Sequence, residues 1–397
     1  MIFKFKNQPH FYFLFPHVIG SNGGIEVYSA FLLQAWQSLY PKAEYDVFFR
    51  YGDSAAWKLR NWQFLPQTRF HYLEEKLYKE YPKELSEKWR KRFTTSLSSA
   101  KILGSAIKDR PALIVSTELY TYTTLCDRIQ KLLGIPYWVF LHGIEAWTLK
   151  NPTYKAVLQQ ANRVISCSSY TRDRILKQNY LSPEQISILP NTFNPSLFQI
   201  QPKPDYLIQR YNLSPEQPVI FTVGRLESEF KGYNNVLKAL PEIRKSIPNL
   251  RYILAGKGGD QPRIESLIQN LGLQDCVTLA GFVPDKELND HYNLCDVFAM
   301  PSKGEGFGIV YLEAMACGKP VLGGNKDGAV EPLANGELGC LVDPDDVDAI
   351  ANSLIQILQR TYPNSLMYQP EQLRHQAIQL FGYDRFGETL AKLIQNF

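Results

Sequence analysis

Apolar residues fall along this chain in short, dense runs separated by longer stretches of mixed polarity. In the first half the runs are 11–15, 45–49, 112–116, 137–141, 164–166 and 186–189, all too short for helices. The second half repeats the pattern at 219–223, 252–255, 277–280, 297–300, 320–322 and 340–342. Between them lie longer amphipathic stretches, among them 24–40, 121–133, 234–245, 261–271, 309–317 and 347–359. Apolar strands that alternate with helices predict parallel sheets covered on both faces. Between Asn194 and Pro218 the pattern stops, and Pro195, Pro202, Pro204, Pro215 and Pro218 resist both helix and central strand. The predicted fold class is therefore α/β, with two doubly wound Rossmann-like domains. The first spans 1–195, a linker follows at 196–217, and the second domain spans 218–375. A C-terminal helix within 376–397 is expected to pack back on the first domain. In such sheets ligands bind beyond the carboxyl ends of the strands, so the expected site is a cleft between facing domains.

Composition narrows the class. At 397 residues and 45.5 kDa the chain exceeds one hydrophobic core, which agrees with two domains. With 45% hydrophobic and 21% charged residues it is neither disordered, collagenous nor a coiled coil. Six cysteines without a CxxC pair make neither a disulfide framework nor a zinc ribbon. The longest stretch free of Asp, Glu, Lys and Arg, 7–25, contains two prolines, two histidines and three glycines, so it cannot cross a bilayer as a helix. A cytoplasmic location is expected. The net charge of +4 divides unevenly: residues 1–200 hold 25 basic and 15 acidic groups, and the remainder 18 and 24. Different partners for the two halves are implied.

Candidate chemistry clusters just after the predicted strands. Gly20-Ser21-Asn22-Gly23-Gly24 opens a helix, where backbone N–H groups can approach an anion or a sugar. Arg225, after Gly224, and Lys231, before Gly232, stand six residues apart and suit a diphosphate, one as a bidentate fork and one as a point charge. Gly256-Lys257-Gly258-Gly259 lacks the spacing of a dinucleotide loop and is expected to be a tight turn near a nucleotide. His142, in His142-Gly143-Ile144-Glu145, ends a strand and is a candidate to face ligand. The densest constellation runs from Pro301 to Val321: a glycine-rich loop with Glu305, then a helix with Glu313. Eight helical residues rise about 12 Å, beyond the roughly 5–9.5 Å carboxylate pairs of glycosidases. The two glutamates are therefore expected at two ends of an elongated ligand, with the helix start presenting amides to a phosphate between them.

At these residues the chain resembles the retaining, nucleotide-sugar-dependent glycosyltransferases of family 4, with the GT-B fold. The matching pieces are Gly23-Gly24, His142-Gly143, Pro190-Asn191, Gly224-Arg225-Leu226, Lys231-Gly232, the segment from Glu305 to Glu313 with its continuation to Val321, and Gly339 to Pro344. The resemblance implies that Arg225 and Lys231 hold the donor diphosphate without a metal. It implies that the amides of Ile309 and Val310 meet the distal phosphate, with Gly308 before them, and that Glu313 bonds the ribose. Phe282-Val283 would read the base. Glu305, Gly306 and Phe307 would surround the donor sugar, and His142 would approach it from the other domain. Retention is ascribed in such enzymes to front-face attack, the departing phosphate oxygen taking the acceptor proton, so no nucleophile–base pair and no cofactor are expected.

The expected donor is a UDP-hexose, UDP-glucose first, chosen from the neutral Phe282-Val283 turn and from family frequency. The expected acceptor is a glycan or a lipid-linked oligosaccharide in exopolysaccharide or envelope-glycan assembly. Lys88, Arg90, Lys91 and Arg92 interleave with Trp89 and Phe93 and suggest weak docking on an anionic membrane. The stripe Leu77, Tyr78, Tyr81, Leu85 and Trp89 beside them would face the bilayer. The competing readings are a sugar-nucleotide epimerase of the same fold, a transferase with a soluble acceptor, and a non-catalytic binding module. Departures from the family pattern lie at Leu322-Gly323-Gly324-Asn325 and throughout 53–110.

Overall fold

The computed structural model describes residues 8–17, 24–51, 62–73, 87–120, 122–227 and 229–395, and the side chains of all of these except 87–93. Two compact units emerge: Met1–Pro190 with Phe386–Phe397, and Asn191–Arg385.

In the first unit the strands are β1 (His10–His17), β2 (Glu44–Tyr51), β3 (Thr68–Tyr72), β4 (Leu113–Ser116), β5 (Tyr137–Leu141), β6 (Arg163–Ser166) and β7 (Ile186–Ile188). They form one sheet in the order β3-β2-β1-β4-β5-β6-β7, and every pairing is parallel. The connecting helices are α1 (Gly24–Leu39), α2 (Glu87–Asp109), α3 (Thr123–Leu133), α4 (Ile144–Trp147), α5 (Pro152–Gln160) and α6 (Ser169–Leu176). Parallel strands require crossovers, and the helices supply them while covering both faces. That is why β4 and β5 are buried at every position.

The second unit begins with α7 (Asp205–Arg210) and alternates β8 (Val219–Val223), α8 (Tyr233–Ser246), β9 (Arg251–Ala255), α9 (Gln261–Asn270), β10 (Val277–Gly281), α10 (Asp285–Leu294), β11 (Val297–Met300), α11 (Ile309–Ala316), β12 (Val321–Gly324), β13 (Cys340–Val342), α12 (Val347–Leu358) and α13 (Pro370–Phe381). Its all-parallel sheet has the order β10-β9-β8-β11-β12-β13. Its core packs Ile220, Tyr252, Leu254, Val297 and Leu322 of the sheet against Val236, Leu240, Ile350 and Leu354 of the helices.

Residues 196–217 are fastened to the second unit. The backbone N–H groups of Gln199 and Gln201 donate to Asn289 and Asn293 at 2.8 Å, Lys203 pairs with Asp296 at 2.8 Å, and Arg374 donates to the carbonyls of Pro195, Phe198 and Ala316. The last helix, α14 (Tyr383–Gln395), enters the first unit at Phe386, whose ring meets Tyr28 edge-on at 5.7 Å. Among the described residues no helix is long and apolar enough to cross a membrane.

Candidate active site

In a doubly wound sheet the crevice opens where strand order reverses, because neighbouring connections there leave to opposite faces. In the second unit that point lies between β8 and β11. The loops after these two strands carry Arg225, Lys231 and Glu305. They are joined by a hydrogen bond from Lys303 N–H to the Phe230 carbonyl at 2.8 Å. At their junction Gly232 has φ +79, and a Cβ there would stand 2.0 Å from the Pro301 carbonyl oxygen, so only glycine allows the close approach.

That contact brings Lys231 to Glu305. The ammonium and the carboxylate form an ion pair, with the side chains 28% and 15% exposed. The lysine stem runs back past the end of β8, its Cδ and Cε 3.7 Å from where a Gly224 Cβ would stand. Arg225, next in sequence, is 76% exposed, with Glu227 the acid it approaches at 3.9 Å. Lys303 and Lys326, by contrast, are engaged at 2.6 Å with Asp345 and 2.7 Å with Asp343.

Three residues beyond Glu305, Gly308 opens α11 with φ +92, where a Cβ would meet the Tyr311 ring at 2.5 Å. No side chain caps this helix start, so the first-turn amides of Ile309 and Val310 and the positive helix end are presented to a ligand. One turn on, Glu313 accepts a hydrogen bond from the Tyr292 hydroxyl at 2.7 Å. Burial first, and then the charge of Glu313, hold the Tyr292 pKa well above its ordinary value, so it stays a donor. Phe307 differs from its expected place beside the sugar. Its ring is 1% exposed and packs edge-on against Phe381 at 5.7 Å. A phenyl ring gains more from burial than from sugar hydroxyls, so Phe307 anchors the loop and only its backbone can face a ligand. Gly306 follows Glu305 in the same loop, and Val283 lies after β10, two places from β8 in the sheet.

Asp327, which no sequence pattern marks, underlies this loop. It is fully buried and accepts from the N–H groups of Glu305 at 2.7 Å and Ala329 at 2.9 Å. Burial pushes its pKa up to about 6 against the pull of those two hydrogen bonds.

In the first unit the reversal lies between β1 and β4. His142, at the end of β5, stands one strand beside that point: its Nε2 lies 2.6 Å from the Thr117 carbonyl just after β4. A carbonyl only accepts, so Nε2 carries the proton. Glu145 accepts from the N–H groups of His142 and Gly143, and Tyr28 meets the imidazole edge-on at 5.1 Å. Burial lowers the His142 pKa, opposed by the charge of Glu145. A neutral ring with Nε2–H committed leaves Nδ1 to accept a hydrogen bond. Gly24 begins α1. Gly23 lies outside the described residues, as do Leu77, Tyr78, Tyr81, Leu85 and the side chains of Lys88, Trp89, Arg90, Lys91 and Arg92.

Toward the amino ends of β1 and β2, opposite the strand ends that open this unit's crevice, His10, Asp46 and Asp109 each offer a metal-ligating atom within 4.8 Å of one another. The Asp46 oxygens are already occupied. They accept from His10 at 2.6 Å, His71 at 2.5 Å, and Arg69 at 2.9 and 2.8 Å. This is a satisfied network joining three strands.

Comparison with known proteins agrees with this geometry. Residues 205–378 match the family Glycosyl transferases group 1, and residues 23–197 match Glycosyltransferase Family 4. A GDP-mannose-dependent alpha-(1-6)-phosphatidylinositol monomannoside mannosyltransferase from Mycolicibacterium smegmatis is 32% identical over 267 residues, 64% of this chain and 68% of that protein. The chain belongs to glycosyltransferase family 4. The Mycobacterium tuberculosis enzyme of the same name is 33% identical over 229 residues, 55% of this chain and 59% of that one. Among solved structures, sucrose-phosphate synthase from Thermosynechococcus elongatus superposes with TM-score 0.78 and 22% identity, covering 98% of this chain and 99% of that one. HepE from Anabaena, solved with UDP, gives TM-score 0.76 and 22% identity over 98% and 100%. These likenesses establish the fold: the two doubly wound units of this glycosyltransferase are those of GT-B.

Proposed function

We propose that this glycosyltransferase moves a hexose from a nucleoside-diphosphate sugar to a lipid-linked or glycan acceptor, with retention and without a metal. The observation that carries the proposal is the Lys231–Glu305 pair at the sheet's reversal, beside an uncapped helix start. Arg225 and Lys231 hold the diphosphate, and the amides of Ile309 and Val310 take its distal phosphate. Glu313, steadied by Tyr292, takes the ribose hydroxyls, and the turn at Phe282 and Val283 receives the base. Glu305 and the backbone of Gly306 and Phe307 meet the sugar. His142 offers Nδ1 to a sugar hydroxyl. The bond from C1 to the diphosphate oxygen breaks, the acceptor oxygen bonds to C1 on the same face, and the acceptor proton passes to the departing phosphate oxygen. Two side-chain cations and a helix end supply the positive charge that a divalent ion would otherwise bring.

For the donor we place GDP-mannose ahead of UDP-glucose. The sequence alone favours UDP-glucose, but the relatives at 32% and 33% identity are named as GDP-mannose-dependent. A lipid-anchored acceptor accords with the phosphatidylinositol mannoside named for that relative. It also accords with exposed Leu97 and Ile107 on α2 and Leu132 on α3, set among exposed Lys101, Lys108, Arg128 and Lys131. Each cation near an anionic surface is worth about 1 kcal/mol, enough for weak, salt-sensitive attachment. Titration calorimetry tests the base: GDP binds more tightly than UDP on this reading, and the reverse order restores UDP-glucose.

A further inference from the structure

No step of that transfer uses Asp327, yet it is the buried carboxylate beneath the site. One of its oxygens caps its own 3-10 turn, Gly328–Val330, through Ala329 N–H. Capping needs only that one. The other leaves its segment and accepts from Glu305 N–H at 2.7 Å. The next residue, Gly328, then donates its N–H to the Glu305 carbonyl, also at 2.7 Å. Both backbone polar groups of Glu305 are thus held by two consecutive residues of another loop. Glu305 is also the residue that carries a carboxylate to Lys231.

We propose that Asp327 is a positioning residue for transfer: it locks the Glu305 backbone and so sets where the Glu305 carboxylate and Lys231 ammonium stand against the donor. This rests on the transfer reading above. Among the described residues, no cation pairs with Asp327. From the loop after β11 come Glu305, whose charge opposes it, and Ser302, which hydrogen-bonds to it. Lys231, from the loop after β8, is given to Glu305. From α11 comes Tyr311, whose hydroxyl donates to the Met300 carbonyl at 2.6 Å. On its own segment Lys326 turns to Asp343 and Asp345. Two backbone N–H groups, with the Ser302 hydroxyl, therefore stabilise the carboxylate, and the ionised form accepts from both N–H groups. Protonation, centred at about 6, turns one oxygen into a donor facing a donor.

Asp327→Asn makes that mismatch permanent without changing shape. The experiment measures kcat and KM across pH, the thermal midpoint, and amide exchange of the peptide 304–308 in wild type and variant. Expected is a kcat lowered about ten- to a hundredfold above neutrality, with donor KM little changed. The wild-type acid limb near pH 6 is absent in the variant, and exchange at 304–308 is faster in the variant at neutral pH and equal to wild type in acid. Because the folded pKa is raised, the ionised group costs stability as pH rises through about 6, so the variant's midpoint at neutral pH is unchanged or higher. Wild-type exchange at 304–308, or a midpoint that falls together with kcat while the acid limb persists, overturns the proposal. If the wild-type protein transfers from no nucleotide sugar, the transfer reading falls, and the exchange comparison still decides whether Asp327 locks the loop.

Discussion

Lys231 and Glu305 depend on each other, and that sets the first expectation. Lys231→Ala removes the charge proposed to meet the leaving diphosphate and leaves Glu305 without its ion-pair partner near buried Asp327. Loss of one such contact costs about 3–4 kcal/mol, so kcat/KM should fall about two to three decades while the circular dichroism spectrum is unchanged. Near-normal turnover would remove Lys231 from the diphosphate role. Both residues were legible in the sequence because each sits beside glycine just after an apolar run, where a doubly wound sheet puts its ligands. Asp327 was not legible. Asn325-Lys326-Asp327-Gly328 has the composition of a solvated turn, and its importance comes from a contact across 22 residues that no local spacing encodes. Phe307 misled for the opposite reason: it lies in the glycine-rich loop beside Glu305, and its own ring fills the core.

Among the elements, the buried strands were legible because a strand covered on both faces needs an uninterrupted apolar run. Four of them, β5, β8, β11 and β13, have the bounds that the runs at 137–141, 219–223, 297–300 and 340–342 predict. The edge strand β3 escaped notice. Thr68-Arg69-Phe70-His71-Tyr72 alternates polar and aromatic residues and is partly exposed throughout, so no apolar run announces it. What fastens it is the Asp46 network. Burial alone would raise the Asp46 pKa, but hydrogen bonds from His10, His71 and Arg69 outweigh it and hold the carboxyl well below the usual range. A depressed folded pKa gives stability that is present above the unfolded value, near 3.9, and is lost as pH falls toward the folded one. Asp46→Asn should therefore lower stability in urea by about 2 kcal/mol at neutral pH, with the deficit shrinking in acid. An unchanged midpoint at neutral pH would contradict the role given to this network.

Across the whole molecule, one plan is used twice, and each unit has candidate residues at or beside the reversal of strand order: Lys231 and Glu305 in the loops after β8 and β11, and His142 at the end of β5, hydrogen-bonded to the loop after β4. The second unit was the more legible because its residues are contiguous, from Pro301 to Val321, whereas the first offers scattered signals. Donor and acceptor identity depend on side chains that contact one hydroxyl or one base edge, and nothing in their spacing distinguishes sugar epimers. The central claim is metal-independent transfer from a nucleotide sugar. Its most direct test incubates the protein in EDTA with radiolabelled GDP-mannose or UDP-glucose and a lipid-linked acceptor, then separates nucleotide, free sugar and product. Expected are nucleoside diphosphate and labelled glycolipid in equal amounts, with the anomeric configuration of the donor kept. Activity that appears only when magnesium or manganese is restored, or an epimerised sugar without an acceptor, would contradict it.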